Sequence, residues 1–176
     1  MDCAVMSSVF PAPRRNCCIT WSAQSVKLAF MDNLYINVFP RKHDSVNGSD
    51  YIANYPELSK ALKQCAKLRK QFLAYFTDGT LIGNCILSQP NPHAVTAYVL
   101  PDRVLMIIMN RGGAQSIAFN VDLNPWLKSE SGKYEARTYN ADGELVSTTE
   151  LAGGVWAGDT AQLQPEELAL IQFSLK

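Results

Sequence analysis

The densest group of chemically capable side chains lies in segment 41–50, which holds Arg41, Lys42, His43, Asp44, Asn47 and Asp50. Asp44 and Asp50 are the carboxylates that can serve there as an acid/base pair, and Glu57 and Asp78 are the next acids along the chain. Their spacing selects no pair. Glu57 suits the positive end of a helix dipole, and Asp78 precedes Gly79 as a turn residue. A polar loop serving turns and a helix start is the simpler reading of the whole segment. His43 and His93 are the only histidines, they are distant in sequence, and each reads as a loop residue. No Cys-x-x-Cys pair or matching His spacing marks a metal site, and no G-x-S-x-G elbow marks a serine nucleophile. No metal or cofactor is expected.

Sixteen basic and sixteen acidic residues cancel over 176 positions. A neutral chain gives no electrostatic reason for a nucleic-acid or anionic-membrane partner, and weak repulsion between copies favours self-association. Lys60, Lys63, Lys67 and Lys70 form a stripe, but a solvated helix face explains it. No stretch is long enough to span a membrane, and MDCAVMSSVF lacks the basic start of a signal peptide. The five cysteines are Cys3, Cys17, Cys18, Cys65 and Cys85. Cys65 and Cys85 fall in apolar settings and read as buried thiols, which points to a reducing, cytoplasmic environment.

One long element positions these residues. In 56–79, Leu58, Ala61, Leu62, Cys65, Leu68, Phe72, Tyr75 and Phe76 recur at three- and four-residue spacing, which predicts a helix with one apolar face. Pro56 suits its first turn, and Gly79 its left-handed end. Before it, residues 1–30 carry no clear period and read as an irregular arm. Leu34–Phe39 reads as a strand ending at Pro40. After the helix the period becomes alternating, and seven strands are predicted at 81–87, 95–100, 104–109, 116–121, 134–139, 144–150 and 169–175. Val104–Met109 is apolar on both faces, so it should be central. Pro101-Asp102 and Ala141-Asp142-Gly143 mark tight turns. The expected fold is α+β: an antiparallel β-sandwich of about seven to eight strands, preceded by a strand–loop–helix unit. The expected divisions are an arm (1–30), a strand–loop–helix lead-in (31–79) and a sandwich (80–176).

The pieces LYINVFPRKHDSVNGSDYIANYPELSKAL and LKQCAKLRKQFLAYFTDGTLIG, followed by PDRVLMIIMN, VDLNPWL and YEARTYNADG, resemble the end of a (β/α)8-barrel glycoside hydrolase. The likeness runs over about 32–176, from the last barrel strand and helix into the C-terminal β-sandwich. It implies that segment 41–50 lies at the C-terminal end of a barrel strand, the face where barrel active sites are built. Arg41, Lys42, His43 and Asn47 would then meet sugar hydroxyls, and Asp44 and Asp50 would be the catalytic candidates. Trp156, in the glycine-flanked LAGGVWAGD, would be a ring for stacking on sugar, with core packing as the default. A barrel has eight βα units and this chain has room for one, so the resemblance implies a C-terminal region without the full catalytic barrel.

Three readings follow. The leading one is a carbohydrate-associated or structural module related to the C-terminal part of such hydrolases, without the full barrel. The second is a small glycoside hydrolase whose site is assembled around Arg41, Asp44 and Asp50, across an oligomer interface. The third is a protein-interaction domain. Carbohydrate and a second copy of the chain, joined through the first strand or the helix, are the expected partners.

Overall fold

A computed structural model of the chain describes residues 17–19, 22–37 and 55–176. Two parallel strands, β1 (Cys17–Ile19) and β2 (Tyr35–Asn37), pair in register Cys17↔Tyr35, and helix α1 (Ala23–Met31) connects them. Helix α2 (Pro56–Gln71) and the short α3 (Leu73–Thr77) come next. Eight antiparallel strands complete the fold: β3 (Thr80–Leu81), β4 (Ala94–Leu100), β5 (Arg103–Met109), β6 (Ala118–Asp122), β7 (Lys133–Tyr139), β8 (Leu145–Ala152), β9 (Val155–Asp159) and β10 (Leu168–Leu175). Six of them form one sheet in the order β3-β4-β5-β10-β7-β8, and β6 pairs with β9 in a second. The α+β class and the sandwich follow the sequence pattern.

The layers are set by alternation along the central strands. Leu105, Ile107 and Met109 of β5, with Leu168 and Leu170 of β10, pack with the helices in one core. Val104, Met106 and Ile108, with Ala169, Ile171 and Phe173, pack with Phe119 and Val121 of β6 in the other. All six of these β5 side chains are fully buried, as their two-sided apolarity demands. The six-stranded sheet therefore lies between a helical layer and the β6–β9 pair.

The predicted helix forms in two pieces. Pro56 occupies its first turn beside Glu57, and Leu58, Ala61, Cys65 and Leu68 are buried. Phe72 then leaves helical geometry at φ −107°, ψ 26°, and the Tyr75 amide bonds back only three residues to Phe72. The break accompanies packing of the Phe72 ring edge-on to Tyr139 and of Phe76 against Tyr98. Gly79 does not take the expected left-handed conformation, since it is absent from the positive-φ glycines. Its need is spatial: a Cβ there would lie 2.4 Å from the Tyr75 carbonyl oxygen.

The expectation of an irregular arm over 1–30 gives way to a helix at its end. Ser22 caps α1 by accepting a hydrogen bond from the Ser25 amide, and Val26, Ala29, Phe30 and Met31 are buried. The helix closes with Asn33 at φ 54°, the Leu34 amide bonding to Ala29 O and the Asn33 amide to Phe30 O, a Schellman ending. With α1 between β1 and β2, two strand–helix units precede the sandwich, where the sequence suggested room for one. Segment 81–87 also departs from expectation: after β3, Gly83 at φ 59° turns the chain, and Ile86 is buried from a turn. Strand β9, unforeseen, pairs along the whole of β6.

Cys85 is not a free thiol: it is disulfide-bonded. Disulfides persist in oxidising compartments, so the thiol-based argument for a cytoplasmic setting loses its footing. Cys65 is free and buried.

Two consequences can be measured. Phe30 is fully buried with its ring 5.1 Å from Phe76. Phe30→Ala should cost about 3–5 kcal/mol in urea unfolding; an unchanged midpoint would show that α1 is not part of the core. Burial raises the Cys65 thiol from 9.0 to about 12, against the opposing charges of Lys27 and Arg69. The native thiol holds its proton longer than the unfolded one, so its stabilisation is complete below pH 9 and is lost as pH rises from 9 towards 12. Wild type should lose more stability over that window than Cys65→Ala, and a thiol reagent at pH 8 should modify Cys65 only after unfolding.

Candidate functional site

The parallel pairing of β1 and β2 puts their C-terminal ends, Ile19 and Asn37, on the same edge. In α/β architectures that edge is where strand-to-helix connections build binding sites. The connection from β2 to α2 carries Arg41, Lys42, His43, Asp44, Asn47 and Asp50, all of which lie outside the described residues. Glu57 is exposed in the first turn of α2, and Asp78 caps α3 while accepting a hydrogen bond from the Thr77 hydroxyl at 3.1 Å. Both have structural work at helix ends.

Trp156 sits on β9, half-buried and facing the second core. Its ring stands edge-on to Phe119 at 5.3 Å and to Phe173 at 5.7 Å. These contacts fix the orientation of the ring from both sheets.

A second polar constellation was not visible in the sequence. A cleft of about 320 Å³ opens between the end of α1, the 84–87 turn, the loop before β4 and the loop after β5. Asp32, Asn84, Asn91, His93, Thr96 and Arg111 supply its polar lining. His93, expected to be an ordinary exposed loop residue, is half-buried, and its Nδ1 accepts a hydrogen bond from the Arg111 amide at 3.1 Å. That acceptance makes Nδ1 the unprotonated nitrogen and leaves Nε2–H as a donor. The Asn91 side chain braces this loop, accepting from the His93 amide at 3.0 Å and donating to the Ala118 carbonyl at 3.0 Å.

Buried Asn110 holds the neighbouring loop. Its Nδ2 donates to the carbonyls of Gly113 and Leu163, and its Oδ1 accepts from the Gly112 amide. Arg111 is thus carried on an anchored turn. Partial burial raises the Asp32 carboxyl above its ordinary range, and the Arg111 charge pulls it back. The cleft residues come from four separate segments with no local motif, and only His93 stands out among them as a residue type.

Among the described residues no group of three or more His, Cys, Asp and Glu is placed to hold a metal ion. No helix among them is long and apolar enough to cross a membrane.

Replacing the half-buried Trp156 with alanine removes a ring shared by two sheets. Trp156→Ala should destabilise the fold by about 2–4 kcal/mol in urea unfolding, and an unchanged midpoint would show the ring to be dispensable for packing.

No protein-family model and no curated protein matches the sequence. Solved structures do match its fold. A glycoside hydrolase superposes with a TM-score of 0.64 at 14% identity, over 90% of this chain and 38% of that one. A xyloglucanase of glycoside hydrolase family 44 from Paenibacillus polymyxa, solved with xyloglucan, superposes with a TM-score of 0.50 at 12% identity, over 91% of this chain and 32% of that one. The chain therefore spans well under half the length of these structures, and its fold is similar to part of each.

Proposed function

We propose that the chain is the closing portion of a (β/α)8-barrel glycoside hydrolase, with β1–α1–β2–α2 acting as the last two barrel units and the sandwich bracing them. The observation that carries this reading is the parallel β1–β2 pair. Two short parallel strands have too little partner surface to stand alone, and neither has a further partner among the described strands. A barrel supplies neighbours to both outer edges. In this reading the β2–α2 connection reaches the active-site face, Arg41, Lys42, His43 and Asn47 bind sugar hydroxyls, and Asp44 and Asp50 are the carboxylates nearest the reaction. The chain then contributes carbohydrate contacts, and hydrolysis needs the rest of the barrel.

The same open edges favour a second copy of the chain as a substitute neighbour, which supports the oligomeric alternative. A small hydrolase assembled that way would cleave aryl-glycosides unaided, with activity dependent on Asp44 and Asp50.

Native affinity electrophoresis in gels containing xyloglucan or mixed-linkage β-glucan tests the reading. Retardation that is lost in the double variant Arg41→Ala, Lys42→Ala is expected, with no release of aryl-glycoside chromophore between pH 4 and 8. Migration unaffected by every polysaccharide would refute carbohydrate association. Hydrolysis that falls in Asp44→Asn and Asp50→Asn would replace the proposal with the small-hydrolase reading.

A further inference from the structure

We infer that the cleft between α1 and the ends of β4 and β5 is a second carbohydrate site, sized for one monosaccharide unit and built on Asp32, His93 and Arg111. The choice of a sugar rests on the proposed carbohydrate association; the existence of a binding cleft rests on its own geometry.

Asp32 and Arg111 are close enough for the guanidinium to influence the carboxyl, yet they close into no direct ion pair. Opposite charges that flank a cleft without meeting leave acceptors on one side and donors on the other. The His93 Nε2–H adds a donor, because its Nδ1 is committed to the Arg111 amide. Asn84 brings both a donor and an acceptor. The lining sums to no net charge, which gives neither an anion nor a cation an advantage. Sugar hydroxyls donate and accept at once, and a vicinal pair can bridge a carboxylate and a guanidinium. Leu28 and Pro92 complete the wall with apolar surface for the C–H face of a ring.

A volume of about 320 Å³ stands at the small end of ligand pockets, which run from about 300 to 1,000 Å³. It suits one ring and not a chain. The site is also prebuilt, since its charges ride on anchored backbone. Asp32 ends a helix closed by the Schellman bonds, and the Tyr98 hydroxyl donates to the adjacent Met31 carbonyl. Arg111 follows buried Asn110.

Amide chemical-shift titrations of the whole chain with methyl β-D-glucoside and methyl β-D-xyloside, with glycine as a zwitterionic comparison, test the site. Saturable shifts centred on Asp32, Asn84, His93 and Arg111 are expected for at least one glycoside and not for glycine. Asp32→Asn and Arg111→Met should each weaken that binding tenfold or more while leaving the thermal midpoint unchanged. Shifts confined to the surroundings of Trp156 or the 41–50 segment, equal binding of glycine, or undiminished affinity in both variants would overturn the assignment. Polysaccharide retardation dependent on Arg41 and Lys42 is read separately, so the cleft can fail while the proposed function stands, and the reverse.

Discussion

Strand β5 is apolar on both faces, and such a strand has to be covered twice. Its six consecutive side chains from Val104 to Met109 are fully buried. At about 1.5–3 kcal/mol for each, their burial amounts to something on the order of 10 kcal/mol, comparable with the net stability of a whole domain. No partner sheet alone can provide that on both sides. The helices cover one face and the β6–β9 pair the other, so the layer order follows from one strand's composition. Strand β10, set between β5 and β7, repeats the demand and widens the sheet that both layers grip.

This constraint determines what α2 and α3 bury. The stripe from Leu58 to Phe76 packs on the sandwich face through Tyr98, Leu105 and Ile107, with α1 packed alongside. The hairpin between β7 and β8 locks the outer side: Gln64 donates to the Asp142 carboxylate at 2.9 Å, and Gln71 donates to the Gly143 carbonyl at 3.0 Å. Gly143 itself lies at φ 76°, with the Gln71 side chain where a Cβ would stand. The helical layer is therefore rigidly referenced to the sheet. Whatever the parallel β1–β2 pair meets on its outer edges is presented from a fixed base.

Much of this was legible because burial and period coincide. The α2 stripe repeats at helical spacing, β5 is apolar from Val104 to Met109, and Pro101-Asp102 and Ala141-Asp142-Gly143 carry turn chemistry that pins hairpin register. Helix α1 escaped because nine residues with a mixed face give a weak periodic signal, and its stability comes from packing Phe30 and Met31. Strand β9 escaped because glycines at 153, 154 and 158 look like loop, whereas its partner β6 supplies the ladder. Segment 81–87 mimics a strand because apolar residues in a turn alternate as they do in a strand, until Gly83 at positive φ breaks the chain direction. The cleft was invisible for a different reason: Asp32, His93 and Arg111 come to line one cleft only after α1, β4 and β5 have docked.

That last dependence decides how the cleft relates to the fold. Asp32 and Arg111 are surface side chains, and surface charges on free loops contribute little because holding them costs conformational entropy. Here the cost is met before any ligand arrives. The Asn110 amide satisfies the carbonyls of Gly113 and Leu163 in a buried position, so the turn bearing Arg111 cannot move without leaving buried polar groups unpaired. The Tyr98 hydroxyl holds the Met31 carbonyl at the root of Asp32, and burial raises the pKa of that phenol above its ordinary value. The Asn33 side chain ties the same helix end to the core, its Nδ2 donating to the Phe76 carbonyl at 2.9 Å. Each flank of the cleft is thus fixed to the core that β5 organises. A ligand entering between them would order few protein groups of its own, which is the condition under which a small polar cleft can bind a weakly held neutral sugar.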